Sequence, residues 1–435
     1  MSVPLNRLYH FIENIACHSY DGSVIIYRFW PNGSKNINDL DLLQTAHDWF
    51  TVTSSVSVWC HDQEPLNYDY YADKVYQISS PFANLLRKLG MYESLPNIHY
   101  ESTIFSKSLL LHSEKRSSNL TKYLQSPAQS HQSQLVSVYY WSHAIIARDW
   151  FRYAQHENFN KKVKKCFLIY NRAWTGTREY RLKFTDLLIE HGLIDQCQTS
   201  CNALENGLHY RDYEFKNSVW HPSHVLENYA NATTADSFAS ADFFTQDYDS
   251  TEIEVVLETL FDDDRLHLTE KSLRPIACRQ PFILVATHGS LQYLKEYGFK
   301  TFDSVWDESY DTIEDPYERM LAIIRLMRTI CDWTPEERAE KKYLINEIVA
   351  YNQKYFFSQD FFDLVVNELQ KNLSLAFDLV RSDPEFDKWL KRWKPRDQHS
   401  DVKQFLDTNQ DMILPTRKQY NQILQYISEY NQSCT

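Results

Sequence analysis

Two clusters of charged residues could handle a phosphate-bearing group. In the run 266–303, Thr269 reads as a helix N-cap, with Glu270 and Lys271 in the first turn. Arg274 lies three residues beyond Lys271, on the same helical face. A helix N-terminus carries unpaired N–H groups and a partial positive charge, which nearby cations reinforce as an anion site. Lys271 and Arg274 would neutralise a diphosphate, and Glu270 would accept hydrogen bonds from ribose hydroxyls. A capped helix with an ordinary surface ion pair fits the same residues. The second cluster is FLIYNRAWTGTREYR, in which Asn171 and Arg172 end a strand and Arg178 and Arg181 open the next helix. Cations at a strand end can stabilise a departing diphosphate without a metal. Arg172 is the first candidate and Arg178 the second. Surface arginines on an exposed helix are the alternative, which applies most to Arg181.

Two further groups could move protons. WCHDQEP places His61, Asp62 and Glu64 after a β-run, with Pro65 preventing simple continuation of the strand. Alternate residues of an extended segment point the same way, so Asp62 and Glu64 could share a face and act as a general base, with His61 behind them. A loop whose Asp and His satisfy backbone groups is the plainer reading. His143, at another strand-to-helix junction, is either an acceptor-side group or a cap. The acidic run Asp262–Asp264 has the residue types for a hard cation. Its place between strand and helix reads better as a solvated acidic turn, so no metal ligand is assigned.

These residues need an α/β framework. GSVIIYRFW, SSVSVWC, KVYQIS and QLVSVYYW read as strands in the first section, and HAIIARDWFRYAQH as a helix. Ser113 to Gln134 is polar and reads mostly as a surface loop. A second alternating section begins at the basic run Lys161–Lys165, taken as a solvated linker, and carries the strands KCFLIYN, IEVVLET and PFILVA. The βαβα rhythm implies mainly parallel sheets covered by helices. From about Asp315 the pattern is helical, with Asp315–Pro316 and Thr334–Pro335 as N-cap and first-turn pairs. The expected division is 1–160, 161–332 and a helical extension 333–435.

Composition narrows the function. The formal net charge of −13 disfavours a protein devoted to non-specific nucleic-acid binding. The eight cysteines include no CxxC pair, and free thiols in a reducing compartment are expected. The N-terminus has no apolar h-region and no run approaches 18 apolar residues, so a cytoplasmic protein without membrane contact is expected. There is no GxxxxGK[ST], GxSxG or HExxH, which leaves P-loop ATPases, common hydrolases and zinc proteases without support.

EVVLETLFDDDRLHLTEKSLRPIACRQPFILVATHGSLQYL, over about residues 250–305, resembles glycosyltransferases of GT-B architecture. The likeness is to the α1,3-fucosyltransferase family and related virus-encoded proteins. There a strand end of the type found here at Glu258–Thr259 precedes a T-E-K helix start, and a PFI-type strand follows. GFKTFDSVWDESYDTIEDPYERM and HDQEP are similar to the virus-encoded relatives. The resemblance implies two Rossmann-like domains facing a cleft, the acceptor domain first and the donor domain second. Glu258, Thr269, Glu270, Lys271 and Arg274 would join Asn171, Arg172 and Arg178 around a GDP- or UDP-sugar. Glu270 would bind the ribose and Lys271 the diphosphate, with no cofactor required. The acceptor would be a hydroxyl of a glycan, a protein or a modified nucleic acid. PIACRQPFI departs from the small-residue turn of the fucosyltransferases, which leaves the sugar open. A catalytically inactive nucleotide- or glycan-binding protein of the same fold is the alternative.

Overall fold

The computed structural model describes residues 11–12, 15–16, 23–28, 55–61, 65, 108–118, 136–205, 207–226, 229–230 and 242–381. The chain forms two compact units. One holds the described residues within Asn6–His112, Asn119–Tyr140 and Glu368–Thr435; the other holds those within Ser113–Ser118 and Trp141–Asn367. Both units are assembled from more than one stretch of the chain.

The first unit contains a four-stranded parallel sheet in simple sequence order: β1 (Ser23–Arg28), β2 (Ser55–His61), β3 (Ser108–His112) and β4 (Val136–Tyr139). Leu109, Leu111 and Val138 are buried in it. His61 ends β2 in register with His112. Asp62 and Glu64 lie outside the described residues, as do the side chain of His61 and the expected strand KVYQIS.

The second unit is built on β5 (Lys165–Asn171), β6 (Cys197–Cys201), β9 (Tyr229–Ala230), β10 (Thr251–Leu257) and β11 (Phe282–Val285). A short hairpin, β7 (Leu204–Glu205) and β8 (Leu208–His209), stands apart from this sheet. The strand order is β11-β10-β5-β6-β9, parallel except for the edge strand β9. Consecutive apolar residues in β5, β11 and the end of β10 suit a sheet covered on both faces, and Phe167, Leu168, Val255, Ile283 and Val285 are buried.

Helices α1 (Ser142–Trp150), α2 (Tyr180–Glu190), α3 (Thr245–Ser250), α4 (Glu270–Ala277) and α5 (Ser290–Glu296) accompany this sheet. Three longer helices follow: α6 (Pro316–Cys331), α7 (Pro335–Phe356) and α8 (Gln359–Arg381). The expected caps are present. Asp315 accepts from Glu318 N at 2.8 Å, and Thr334 and Glu337 form a reciprocal capping box. Helix α7 is not a separate extension, because it packs on α4, where Gln353 donates to Ala277 O at 2.7 Å. Among the described residues, no helix is long and apolar enough to cross a membrane.

Candidate functional site

The chain runs from β5 to β6 on one side and then returns to β10 on the other side of β5. The carboxyl ends of β5 and β10 therefore diverge into loops on opposite sides, which is where open α/β sheets place ligands. Arg181 and Tyr180 of α2 bridge this switch point. Arg181 donates to Ala173 O at 2.7 Å, Leu257 O at 2.7 Å and Glu258 O at 3.0 Å, and Tyr180 OH donates to Glu258 O at 2.6 Å. Arg181 is buried rather than on the surface, and burial pulls its pKa down. Asn171 is buried as well. Its amide donates to Arg181 O at 3.2 Å and Thr185 Oγ1 at 3.1 Å, so it ties β5 to α2. Arg172 is exposed and Arg178 half-buried at the mouth of this switch point, and Arg178 is near enough to add to the depression of Arg181.

Glu258 directly follows β10 and is completely buried. Its carboxylate accepts from Thr269 N at 3.1 Å, Thr269 Oγ1 at 2.7 Å and the Ser272 hydroxyl. Glu258 thereby anchors the start of α4. The N-cap at Thr269 is as expected, with its hydroxyl accepting from Lys271 N at 3.4 Å. An internal carboxylate thus already sits on the helix N-terminus that the sequence suggests as an open anion site. Arg274 likewise has partners within the fold. It is buried in an ion pair with Glu254 at 2.7 Å, donates to Tyr248 OH at 3.1 Å and lies 4.4 Å from the centre of the Tyr170 ring. Arg274 is the fifth residue of the eight-residue α4, and its side chain has turned toward the sheet.

Glu270 and Lys271 remain together, with Lys271 Nζ 2.9 Å from Glu270 Oε1 and about a quarter of the lysine side chain exposed. The other carboxylate oxygen of Glu270 stands 3.2 Å from His143 Nδ1. Burial raises the Glu270 pKa, but Lys271 and His143 outweigh it and hold the carboxyl well below its ordinary range. The structure thus brings His143 to the T-E-K helix start. It also adds His267, whose ring meets that of His143 edge-on at 5.2 Å. His267 Nδ1 faces Ser113 O at 3.2 Å, which assigns the proton to Nδ1 and leaves the buried Nε2 an acceptor without a protein partner. Burial, with His143 next, pushes the His267 pKa far down, so its imidazole is neutral. Arg265 reaches Glu114 at 3.5 Å and Asp263 at 2.5 Å. Ser113 and Glu114 are therefore buried parts of this cluster rather than surface loop. His267 stands two residues before the Thr269 cap, and its proximity to the T-E-K start was the available signal for it.

The three acidic side chains 262–264 turn to different donors. Asp262 accepts from Asn217 Nδ2 and Trp220 Nε1, both at 2.8 Å, Asp263 binds Arg265, and Asp264 accepts from Ser118 Oγ at 2.8 Å. Asp262 and Asp264 are exposed, as expected of a solvated acidic turn, and donors from other segments also hold them. No protein-family model, curated protein or solved structure matches this chain. A cavity of about 370 Å³ lined by Lys295, Thr301, Asp303 and Glu347, among others, includes none of the residues singled out from the sequence.

The arrangement has two chemical capacities. Arg172 and Arg178, at the mouth of the switch point, can attract an oxyanion. Glu270, Lys271, His143 and His267 form a buried polar network beneath a part-exposed ammonium, and a carboxylate beside an imidazole can hold or transfer a proton.

Proposed function

We propose that this chain is a glycosyltransferase that moves a sugar from a nucleotide-diphosphate sugar to an acceptor hydroxyl. The observation that carries the reading is the pair Arg172 and Arg178 at the β5/β10 switch point of a doubly wound sheet. In this reading the unit carrying that sheet is the donor domain of a GT-B enzyme, and the unit carrying β1–β4 is the acceptor domain. The leaving diphosphate lies against Arg172 and Arg178, with Lys271 as a third cation, and cationic stabilisation replaces a metal. Glu270, held by Lys271, accepts from the ribose. A base on the acceptor side, Asp62 or Glu64 with His61 behind them, takes the acceptor proton, and attack inverts the anomeric carbon, while His143 stands beside Glu270 in the donor unit. The enzyme acts in the cytoplasm on a glycan, protein or modified nucleic-acid hydroxyl.

Thermal-shift and calorimetric titration of the full chain with GDP, UDP and their sugars tests the reading. Binding by at least one of them, together with release of nucleoside diphosphate, is expected. Binding without release under any acceptor condition would favour a non-catalytic nucleotide- or glycan-binding protein of the same fold. Absence of all binding would remove both.

A further inference from the structure

The segment 300–305, which follows α5, is tied to α7 at both of its ends. At one end the Lys300 amide donates to Asn352 Oδ1 at 2.9 Å, and Asn352 Nδ2 donates back to Lys300 O at 2.8 Å. At the other, Lys341 Nζ donates to Val305 O at 2.6 Å. Phe302 and Trp306, both buried, stack with ring centres 4.7 Å apart and hold the span in place. Between the two ties lies the cavity of about 370 Å³. Asp303 and Ser304 line it from the segment, Leu344, Glu347 and Ile348 from α7, and Lys295 from α5. A frame fixed at both ends is the preformed kind that small-ligand sites use, and the volume falls at the small end of their range, on the order of 300–1,000 Å³.

The lining decides the ligand class. Two ammonium groups, of Lys295 and Lys300, and two carboxylates, of Asp303 and Glu347, share the walls, so their formal charges cancel. A phosphate would meet the carboxylates and a divalent cation the lysines. Among the described residues no group of three His, Cys, Asp or Glu is placed to hold a metal ion. An apolar molecule would strip water from charged walls without replacing it. Lys295 and Asp303 already pair at 2.9 Å, and Lys300 Nζ lies 4.5 Å from the centre of the Tyr351 ring. The walls therefore offer hydrogen-bond donors and acceptors rather than an open charge of either sign. A hydroxyl matches both, because it donates to a carboxylate and accepts from an ammonium. Leu344 and Ile348, one helical turn apart, add an apolar strip. Tyr343, 66% exposed, stands one turn before Glu347 and brings a flat ring to the rim.

We propose that this cavity is a saccharide-binding site that takes one neutral pyranose unit. Asp303, Glu347 and the two lysines hold its hydroxyls, its apolar C–H face lies on Leu344 and Ile348, and Tyr343 covers the next unit of a longer chain. Binding is non-covalent. The site shares no residue with the proposed nucleotide site, so it stands whether or not sugar transfer does.

The experiment presents the full chain with glucose, galactose, mannose, fucose, N-acetylglucosamine, lactose, maltose and chitobiose. Saturation-transfer NMR detects binding and calorimetric titration measures it, with glycine and inorganic phosphate as charged controls. Millimolar binding of at least one saccharide, and of neither control at this site, is expected. Asp303→Ala and Glu347→Ala should each weaken it by about tenfold, the scale of a hydrogen bond to a charged group. Tyr343→Ala should weaken disaccharide binding by about threefold. All three side chains are exposed, so thermal midpoints should hold, and nucleoside-diphosphate binding should not change. Absence of binding by every saccharide in the panel would overturn the proposal. So would saccharide binding that survives both Asp303→Ala and Glu347→Ala but is lost in Arg172→Ala, which would put the sugar in the nucleotide site. Glycine or phosphate binding that Asp303→Ala or Glu347→Ala alters, without saccharide binding, would overturn it in favour of a charged ligand.

Discussion

Glu258 and Thr269 are bound to each other twice: one carboxylate accepts from both the amide, at 3.1 Å, and the hydroxyl, at 2.7 Å, of the same residue. The carboxylate is completely buried, so these bonds and that from Ser272 take the place of water around the charge. They also fix where α4 begins relative to the end of β10. Glu258→Ala should lower unfolding stability by about 2–4 kcal/mol, because several donors lose their acceptor together. Glu258→Gln should fall between, since its amide retains one accepting oxygen. Urea denaturation at neutral pH measures both, and an alanine variant as stable as the parent would remove Glu258 from this role.

The two arginines separated by nine positions should behave oppositely. Arg181→Ala removes donors from Ala173 O, Leu257 O and Glu258 O in a buried place, and should cost about 2–4 kcal/mol of stability. Arg172 is exposed, so Arg172→Ala should change stability by no more than about 0.5 kcal/mol. It should weaken nucleoside-diphosphate binding by about tenfold or more, the scale of one charge-assisted contact. Calorimetric titration beside thermal melts separates the two. Equal loss of binding and stability in Arg172→Ala would place it in the framework instead.

How much of this was legible follows from the physics of each residue. Strands β5 and β11 announce themselves as apolar runs and β10 as a β-branched run broken by Glu254, and the caps at Asp315 and Thr334 carry local hydrogen-bond chemistry that sequence exposes directly. β6 did not, because CQTSC has no apolar alternation; its burial rests on small side chains, with Cys197 and Cys201 at the sheet. β3 is a short leucine run beside a polar stretch, and leucine has no strong strand preference. At the site, residue type marked the right neighbourhood but not the direction of each side chain. Arg274 and Arg181 read as available cations, yet each meets acceptors distant in sequence, Glu254 for one and the β10 carbonyls for the other. Nothing local encodes those partners.

Glu270 gives the site an acid limit. Its carboxyl lies well below the ordinary range because Lys271 and His143 outweigh burial. A depressed carboxyl contributes stability that is present above its unfolded pKa and lost as pH falls through the folded one. Glu270→Gln should therefore be less stable than the parent at pH 7 by on the order of 2 kcal/mol. The gap should close as pH falls below the usual glutamate range. Denaturation curves for both proteins from pH 7 downward provide the check, and a gap independent of pH would show that the charge itself contributes nothing.

Glu308 should show the opposite sign. Burial pushes its carboxyl up to about 7; the amide of Phe302, at 2.8 Å, and Lys295, 4.0 Å away, only partly offset this. A raised carboxyl binds its proton more tightly folded than unfolded. Its contribution to stability is thus fully present below the unfolded pKa and is lost as pH rises through about 7. Glu308→Gln keeps the shape and an acceptor for Phe302 N but cannot ionise. Relative to the parent, the variant should gain about 2–3 kcal/mol between pH 5 and pH 8.5. Guanidinium midpoints for both proteins at those two pH values measure the gain. A constant difference would mean that the Glu308 carboxylate is solvated in the folded chain, and the pH dependence would then belong to other groups.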